Sequence, residues 1–184
     1  QFYEVHAKLF CDCSGDSILA PLCRAECKMG REAAPDYGED TEVTIADSLT
    51  MGTSCLIQGR ETEQEIAFIP PEWCKAITHE DVKNRFSDID NEDNNFWYLE
   101  LGGDKNTITD SETTRDELIT LALGMWDYVK NRSGGKAEKW DLDFLGFLPA
   151  KRESRRMCGE YTITQRDIFD KKVFVDEIAF GGWP

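Results

Sequence analysis

The sequence predicts an α+β (mixed α/β) fold, in which helices flank a mixed β-sheet. Two observations predict this class. Roughly six or more strand-like segments are interspersed with a few helical ones, and one of those helices carries a continuous apolar face. Hydrophobic residues make up 40% of the 184 positions and aromatic residues 11%, so the chain has enough apolar material to bury a core.

The N-terminal region predicts a strand, a short helix and a loop, in that order. Residues 3–13 are rich in apolar side chains and lead into a turn of small residues, which is typical of a strand end. Residues 17–26 predict a short helix interrupted by Pro21. Residues 30–40 are polar and contain glycine and proline, which indicates a loop.

The middle of the chain predicts three strands and one short helix. Residues 54–59 and 65–71 are expected to form the two strands of a hairpin. Residues 79–86 predict a short helix, residues 87–95 an acidic loop, and residues 96–103 a strand closed by two glycines.

The clearest helix is predicted over residues 111–131. Its apolar residues recur at the i, i+3, i+4, i+7 spacing of one buried face: Leu118, Leu121, Ala122, Met125 and Val129. Acidic residues in the first turns and Lys130 in the last suit the helix dipole. Three residues qualify as its N-cap: Asp110, Ser111 and Thr114. Beyond it, strands are predicted over residues 140–149, 157–164 and 172–180, with a turn or short helix at 165–169.

Charge excludes several classes of partner. The net charge is −15, from 36 acidic and 21 basic residues, whereas binding to nucleic acid or to an anionic membrane surface requires a basic face. No apolar run reaches the roughly 18–20 residues of a membrane span. The chain has neither an initiator Met nor a signal peptide, and both ends are expected to be cuts through a longer polypeptide.

The cysteines predict free and mostly buried thiols. There are seven, at residues 11, 13, 23, 27, 55, 74 and 158. A reducing compartment, the cytoplasm, is favoured, although export of the full-length protein stays open. A zinc site built from the pairs Cys11/Cys13 and Cys23/Cys27 is not predicted, because Cys11 and Cys13 would point to opposite faces of a strand. No metal ligand is assigned.

Three other kinds of site are considered and not favoured. A calcium loop counted from Asp88 places Asp93 and Leu99 where an EF-hand needs Gly and Glu. The two histidines, His6 and His79, lie beside no Ser or Cys motif, which argues against a catalytic triad. No G-x-G occurs, so no dinucleotide- or phosphate-binding loop is predicted within the chain.

Positive charge is concentrated in residues 151–166, "KRESRRMCGEYTITQR". Pairing with the surplus carboxylates of an acidic protein is the simpler interpretation. The alternative is an anion site, because a guanidinium holds a carboxylate in a bidentate fork or stabilises negative charge on a cofactor. The segment by itself favours simple pairing.

Several motifs, in order, resemble the FAD-dependent oxidoreductases with a two-dinucleotide-binding-type flavin fold. "CDCSGDS" (residues 11–17) takes the place of the family's D-A-T-G-D-G turn, with Cys13 replacing Ala and Ser17 replacing the last Gly. "GREAAPDYGED", "RESRRMCGEYTITQRDI" and the terminal "GGWP" follow in family order. The family's N-terminal G-x-G-x-x-G unit and C-terminal flavin-contacting segment lie outside the chain.

The resemblance implies FAD as cofactor and an FAD/NAD(P)-binding-type flavoprotein fold. Residues 1–35 would form the end of the FAD-binding region and residues 36–184 a substrate-side domain, together one compact unit excised from a longer chain. The rest of that chain, which carries the G-x-G-x-x-G unit, is the implied partner. Without it, the fragment is not expected to retain FAD.

The resemblance also implies site residues. The expected cofactor contacts are Asp12, Ser14, Gly15 and Asp16. The candidates for catalysis are Arg152, Arg155, Arg156 and Tyr161. One or two of the arginines would face the isoalloxazine or an anionic substrate, with Glu153 fixing an arginine rotamer, and Tyr161 is a candidate proton donor. On a strand, Arg152 and Arg156 would share one face and Arg155 would take the other.

The full-length parent is predicted to catalyse flavin-mediated hydride transfer. Its substrate would be a small organic molecule, carbohydrate-related or other. Whether the fragment alone is an enzyme is left open. The alternative is a non-enzymatic carbohydrate- or protein-binding module with an acidic, aromatic surface. Trp97 and Tyr98 alternate on a predicted strand and are assigned to the core or an interface rather than to a sugar platform. Motif agreement over nearly the whole chain favours the enzyme.

Overall fold

The computed structural model describes residues 2–83 and 95–181, and the chain divides into two compact units. The first unit combines residues 1–48 with residues 155–184, and the second is the continuous segment 49–154. Helices and antiparallel sheets occur together, which confirms the α+β class. The prediction of a mixed sheet is wrong for the described residues, because every strand pair there is antiparallel.

Strand β2 (Thr53–Glu61) lies at the centre of the second unit's sheet. One edge of β2 pairs with β3 (Asn95–Leu101), and the other pairs with β4 (Trp140–Leu145) and β5 (Ala150–Lys151). Along β2 every second residue is buried up to Gly59, which is the period of a strand that buries one face. The predicted hairpin partner at residues 65–71 is not a strand, and β2 pairs with β3 and β4 instead.

The long helix α4 (Ser111–Arg132) supplies the other side of this core. Its predicted apolar face is confirmed: Leu118, Ala122, Met125 and Val129 are buried, and Leu121 is partly buried against them. Trp126 is fully buried and meets the ring of Phe96 on β3 edge to face, at a centroid distance of 6.5 Å. Gly124 allows a close approach, because an added Cβ would lie 1.9 Å from the carbonyl oxygen of Lys75.

Lys130 links the C-terminal end of α4 to the start of β4 by hydrogen bonds. Its buried ammonium donates to the carbonyl oxygens of Ala137, Glu138 and Trp140 at 2.6, 3.1 and 2.7 Å. These bonds replace the water that the ammonium loses, and burial lowers the pKa of Lys130. The role of this lysine is structural.

Short elements make up the first unit. Its helices are α1 (Leu19–Cys23), α2 (Ala34–Tyr37) and α5 (Gln165–Phe169), and β1 (Cys27–Lys28) pairs with β6 (Arg156–Met157). The helices predicted within residues 17–26 and 165–169 are therefore present, and so is α3 (His79–Val82) in the second unit. The loop predicted over residues 30–40 contains the single turn α2.

Three predicted strands in the first unit are wrong. Residues 3–13 and 172–180 contain no strand, and of residues 157–164 only the first lies in one. Many of their apolar side chains are exposed, for example Val5 at 70% and Val175 at 108%. Strand-like composition reflects packing on a paired, half-buried surface, and the described residues provide no pairing partner there.

Some predictions fall outside the described residues. These are most of the acidic loop 87–95 and of the calcium-loop count, the last three residues of "GGWP", and the side chains of Trp97 and Tyr98. The proposed boundary between residues 35 and 36 divides the chain by family role rather than by packing, and it stays a prediction. Among the described residues, no helix combines the length and apolarity needed to cross a membrane.

Candidate functional site

The turn after residue 11 is organised by a single carboxylate. Asp12 Oδ1 accepts from the backbone N of Ser14 at 2.9 Å and from its hydroxyl at 2.6 Å, and Oδ2 accepts from the backbone N of Leu19 at 2.8 Å. Ser14 Oγ in turn accepts from the backbone N of Ile18 at 3.1 Å. The bonds from Ser14, then that from Leu19 and the charge of Arg155, lower the pKa of Asp12, so it stays ionised at neutral pH.

Two residues of the turn adopt the left-handed conformation. Gly15 has φ +79°, and no atom lies within 4 Å of the position its Cβ would take. Ser17, at the position where the resemblance predicts glycine, has φ +47°. A backbone shape that favours glycine is therefore kept at residue 17 despite the serine side chain. The open space beside Gly15 leaves this backbone accessible to a bound group.

Arg155 and the turn are joined by two reciprocal hydrogen bonds. Arg155 Nε donates to the carbonyl oxygen of Asp16 at 3.1 Å, and Ser17 Oγ donates to the carbonyl oxygen of Arg155 at 3.1 Å. The two segments are more than 130 residues apart in sequence, yet both belong to the first unit. The structure thus brings Arg155 together with Asp12, Ser14, Gly15 and Asp16.

A cleft of about 630 Å³ adjoins this turn. Its walls are mainly apolar and include Phe10, Leu19, Leu22 and Met157, while Asp12 and Ser17 contribute polar groups. An apolar cleft with a few polar groups is the usual form of a cofactor or substrate site.

Arg156 holds the "GRE" loop rather than the turn. Its Nη2 donates to the carbonyl oxygen of Gly30 at 2.9 Å and to Oε1 of Glu32 at 2.7 Å. Burial raises the pKa of Glu32, but the hydrogen bond from Arg156, a backbone hydrogen bond and the charges of Arg156 and Lys28 together outweigh burial and lower it. Gly30 has φ +87°, and a Cβ there would lie 2.1 Å from the carbonyl oxygen of Asp47. The contacts of Arg156 are those of a structural ion pair.

Arg152 lies in the second unit. Its Nη1 donates to Oε2 of Glu100 at 2.6 Å, and Oε1 of the same carboxylate accepts from the backbone N of Gly52 at 2.9 Å. Glu153 Oε2 accepts from the backbone N of Met51 at 3.0 Å. Glu100 and Glu32 are thus the carboxylates seen to hold Arg152 and Arg156, and the assignment of Glu153 to an arginine stays a prediction.

The strand-face argument for the three arginines is wrong. The segment is interrupted: β5 ends at Lys151, β6 begins at Arg156, and residues 152–155 belong to neither strand. The boundary between the two units also falls between Ser154 and Arg155. The change of unit therefore separates Arg152 from Arg155 and Arg156, and the alternation of a strand does not order the three.

Tyr161 belongs to a different cluster of the first unit. Its hydroxyl donates to the carboxylate of Asp167, with oxygen–oxygen distances of 2.8 and 2.7 Å, and accepts from Lys172 Nζ at 2.6 Å. Asp167 also accepts from the backbone N of Thr164 at 3.0 Å, as part of the capping box of α5. Hydroxyl and carboxylate are thus engaged in holding a helix end, and a role of Tyr161 as proton donor stays a prediction.

The cysteines differ from expectation. All seven are free thiols, but Cys11, Cys13 and Cys23 are exposed and only Cys55 is buried, so the prediction of mostly buried thiols is wrong. Cys11 and Cys13 do not point apart, because this segment is not a strand; their sulfurs lie 3.4 Å apart. Among the described residues, no group of three or more His, Cys, Asp or Glu could hold a metal ion.

Comparison with protein families decides the class of this protein. The model of the family described as FAD dependent oxidoreductase matches residues 1–184. The chain belongs to this family. Neither the search of curated proteins nor the search of solved structures found a match. Membership supports flavin-linked redox chemistry in the full-length protein and FAD as its cofactor.

The first unit of this family member fits part of an FAD molecule. The apolar walls of the cleft suit an aromatic ring system, the space beside Gly15 admits a group close to the backbone, and the Arg155 cation lies near the turn. The sequence offers no Gly-rich helix start for the pyrophosphate. The residues present therefore suit contact with one portion of the cofactor.

Sequence reasoning missed the partners of the arginines and the tyrosine. Glu32 lies within "GREAAPDYGED", whereas Glu100 and Lys172 lie in no motif, and a charged residue does not reveal which distant residue it contacts. One signal was available: a serine in place of the family's last glycine draws attention to Ser17, whose hydroxyl contacts the backbone of Arg155.

Proposed function

We propose that this chain supplies a flavin-proximal turn and the substrate-side residues of an FAD-dependent oxidoreductase that transfers a hydride to or from a small organic substrate. The observation that carries the proposal is the pair of hydrogen bonds between Arg155 and the turn at Asp16 and Ser17. It links two segments that carry the resemblance, "CDCSGDS" and "RESRRMCGEYTITQRDI", in a chain that belongs to the FAD dependent oxidoreductase family.

Arg155 is the residue proposed to face the flavin. Its Nε donates to the carbonyl oxygen of Asp16, and its positive charge contributes to the lowered pKa of Asp12, so this guanidinium provides a cation at the turn. Arg152 and Arg156 donate to Glu100 and Glu32, which favours positioning roles for them. Asp12 and Ser14 would hold the turn in shape, and Gly15 and Asp16 would present backbone to the cofactor.

FAD, when bound, supplies the redox centre that accepts or donates the hydride. The chain supplies position and charge: a guanidinium near the turn stabilises negative charge developing close to it and orients an anionic partner. The apolar cleft walls beside the turn would pack against an aromatic ring of the cofactor.

The partner proposed for this unit is the part of the parent chain that carries the G-x-G-x-x-G motif. Exposed apolar side chains support this, since the first unit leaves Leu9, Leu22, Ile168, Phe169 and Phe180 accessible.

The proposed location is the cytoplasm, because free thiols are typical of reducing compartments. The proposed substrate is a small organic molecule, carbohydrate-related or other. Family membership favours this function over a non-enzymatic binding module.

The test uses the full-length parent protein with Arg155→Met, Arg155→Lys and Arg152→Met. Loss of the cation should lower both FAD affinity, by about tenfold (~1.4 kcal/mol), and the flavin midpoint potential. Arg155→Lys should recover most of the potential because it keeps the charge, and Arg152→Met should resemble wild type. Isothermal titration and spectroelectrochemistry measure the two quantities.

Two results would contradict the proposal. A colourless full-length protein that takes up no FAD would refute flavin chemistry altogether. Equal potentials for wild type, Arg155→Met and Arg155→Lys would leave flavin chemistry intact but remove Arg155 from the site.

A further inference from the structure

Two thiols of the first unit lie unusually close together. The sulfurs of Cys11 and Cys13 are 3.4 Å apart, and both side chains are exposed. The segment before the turn has no regular secondary structure, so its backbone has no ladder or helix to break when it moves. The other exposed cysteine, Cys23, donates instead to the carbonyl oxygen of Ala20 at 3.5 Å.

We propose that Cys11 and Cys13 form a redox-active dithiol, which disulfide oxidants of the glutathione class convert into an intramolecular disulfide. In the first step, one thiolate attacks a sulfur of glutathione disulfide, which forms a mixed disulfide and releases one glutathione thiolate. In the second, the other cysteine attacks the protein sulfur of that mixed disulfide and releases the second glutathione. The protein loses two protons and two electrons, and two glutathione molecules gain them.

Geometry favours this exchange over metal binding. A disulfide has a sulfur–sulfur distance of about 2.05 Å, so the pair must close by only about 1.4 Å. A tetrahedral thiolate site needs four ligands, and the described residues offer no third Cys, His, Asp or Glu in a common cluster with the pair. Exposed disulfides closed over short loops are also those most readily reduced again, as a reversible site requires.

The pKa of the Cys13 thiol affects the pH at which thiol–disulfide exchange is fast. The hydrogen bond with Cys11, and to a smaller extent the negative charge of Asp12, raise the pKa of the Cys13 thiol. The attacking species is the thiolate, so the rate of disulfide formation should rise with pH through the weakly alkaline range. This behaviour concerns the thiols alone and does not rest on FAD binding.

The sequence around the pair provides an unambiguous test. Trypsin releases residues 9–24, which contain Cys11, Cys13 and Cys23, and cleavage before Asp12 and Asp16 divides this peptide into 9–11, 12–15 and 16–24. The full-length protein is equilibrated with glutathione and glutathione disulfide, alkylated, digested and analysed by mass spectrometry. We expect 9–11 and 12–15 to remain joined by a disulfide, or to appear as an uncleaved 9–15 peptide lighter by two hydrogens.

Matched variants complete the experiment. Cys23→Ser should leave the disulfide between Cys11 and Cys13 unchanged, whereas Cys13→Ser should abolish it and leave Cys11 carrying a glutathione adduct. Three outcomes would overturn the proposal: a link between 9–11 and 16–24, stable glutathione adducts on both Cys11 and Cys13 in wild type, or full alkylation of both thiols at glutathione ratios that modify Cys11 in Cys13→Ser.

Discussion

At the scale of single residues, Ser17 combines a strained backbone with a long-range hydrogen bond. Its φ of +47° suits glycine, and its hydroxyl donates to the carbonyl oxygen of Arg155. For a non-glycine residue the left-handed conformation costs roughly 1–2 kcal/mol. The hydrogen bond offsets part of that cost, since such a bond contributes about 1 kcal/mol.

Two substitutions separate these effects. Ser17→Ala keeps the backbone strain and loses the hydrogen bond, so we expect it to lower the free energy of unfolding by about 1 kcal/mol. Ser17→Gly loses the bond but relieves the strain, and it should stay within about 1 kcal/mol of wild type. Urea unfolding of the full-length protein measures both. Equal destabilisation by the two variants would show that residue 17 is not strained.

Asp167 predicts a pH-dependent contribution to stability. Bonds from Thr164, Tyr161 and Lys172 hold its pKa well below the ordinary 3.8. A carboxyl whose folded pKa is depressed stabilises the native state above its unfolded pKa and loses that effect as pH falls. The Tm difference between wild type and Asp167→Asn should therefore be present at pH 7 and shrink as the pH drops below about 3.8.

A control at the same helix end makes the comparison specific. Asp170→Asn removes one carboxylate from the C-terminal end of α5, so it reproduces the change in net charge without touching the capping box. A Tm difference for Asp167→Asn that is constant from pH 7 to pH 3 would contradict the role assigned to this carboxylate.

At the scale of elements, the packing of α4 against the segment at Lys75 requires a glycine at residue 124. A Cβ on Gly124 would meet the carbonyl oxygen of Lys75 at 1.9 Å, and a backbone carbonyl cannot move aside cheaply. Gly124→Ala gains about 1 kcal/mol of helix propensity. Overpacking should outweigh this gain, with a net loss of about 1–3 kcal/mol in unfolding free energy.

Thr113→Ala is the matched control on the same helix. Thr113 is exposed, so this substitution should change the unfolding free energy by no more than about 0.5 kcal/mol. A Gly124→Ala protein as stable as Thr113→Ala would mean that α4 and the segment at Lys75 are less closely packed than described.

Elements differ in how far the sequence predicts them. The apolar periodicity of α4 predicts the face that it buries. Strand-like composition predicts β2, β3 and β4, each of which contributes residues to the core of the second unit. The segment 3–13 has the composition of a strand but no partner, and pairing is a property of the whole fold that composition does not report. The same limit explains why the hairpin at residues 65–71 is wrong.

For the candidate site, sequence reasoning found residues but not their grouping. The motifs drew attention to the turn and to the arginines as separate segments, and the hydrogen bonds of Arg155 join the two. The boundary between the units, between Ser154 and Arg155, assigns Arg152 to the other unit, and hydrogen bonds to distant residues distinguish Arg155, at the turn, from Arg156, at Gly30 and Glu32. No local pattern marks that boundary, since it lies inside the most family-specific motif.

At the scale of the whole molecule, the second unit is predicted to fold by itself. All members of its hydrophobic core, from Cys55 to Trp140, lie within the continuous segment 49–154. Residues 49–154 expressed alone should therefore unfold cooperatively and show dispersed NMR signals. A fragment without a cooperative transition, or with the spectrum of an unfolded chain, would contradict the division into units.

The two segments of the first unit, residues 1–48 and 155–184, are synthesised at different times. Its turn at Ser17 bonds to Arg155, 138 residues later in the chain. At typical translation rates of about 5–20 residues per second, Arg155 leaves the ribosome roughly 7–28 s after Ser17. The whole of segment 49–154 is synthesised in that interval. Residues 1–48, with their exposed apolar side chains and two adjacent thiols, therefore lack the second part of their unit, residues 155–184, until synthesis of that part follows.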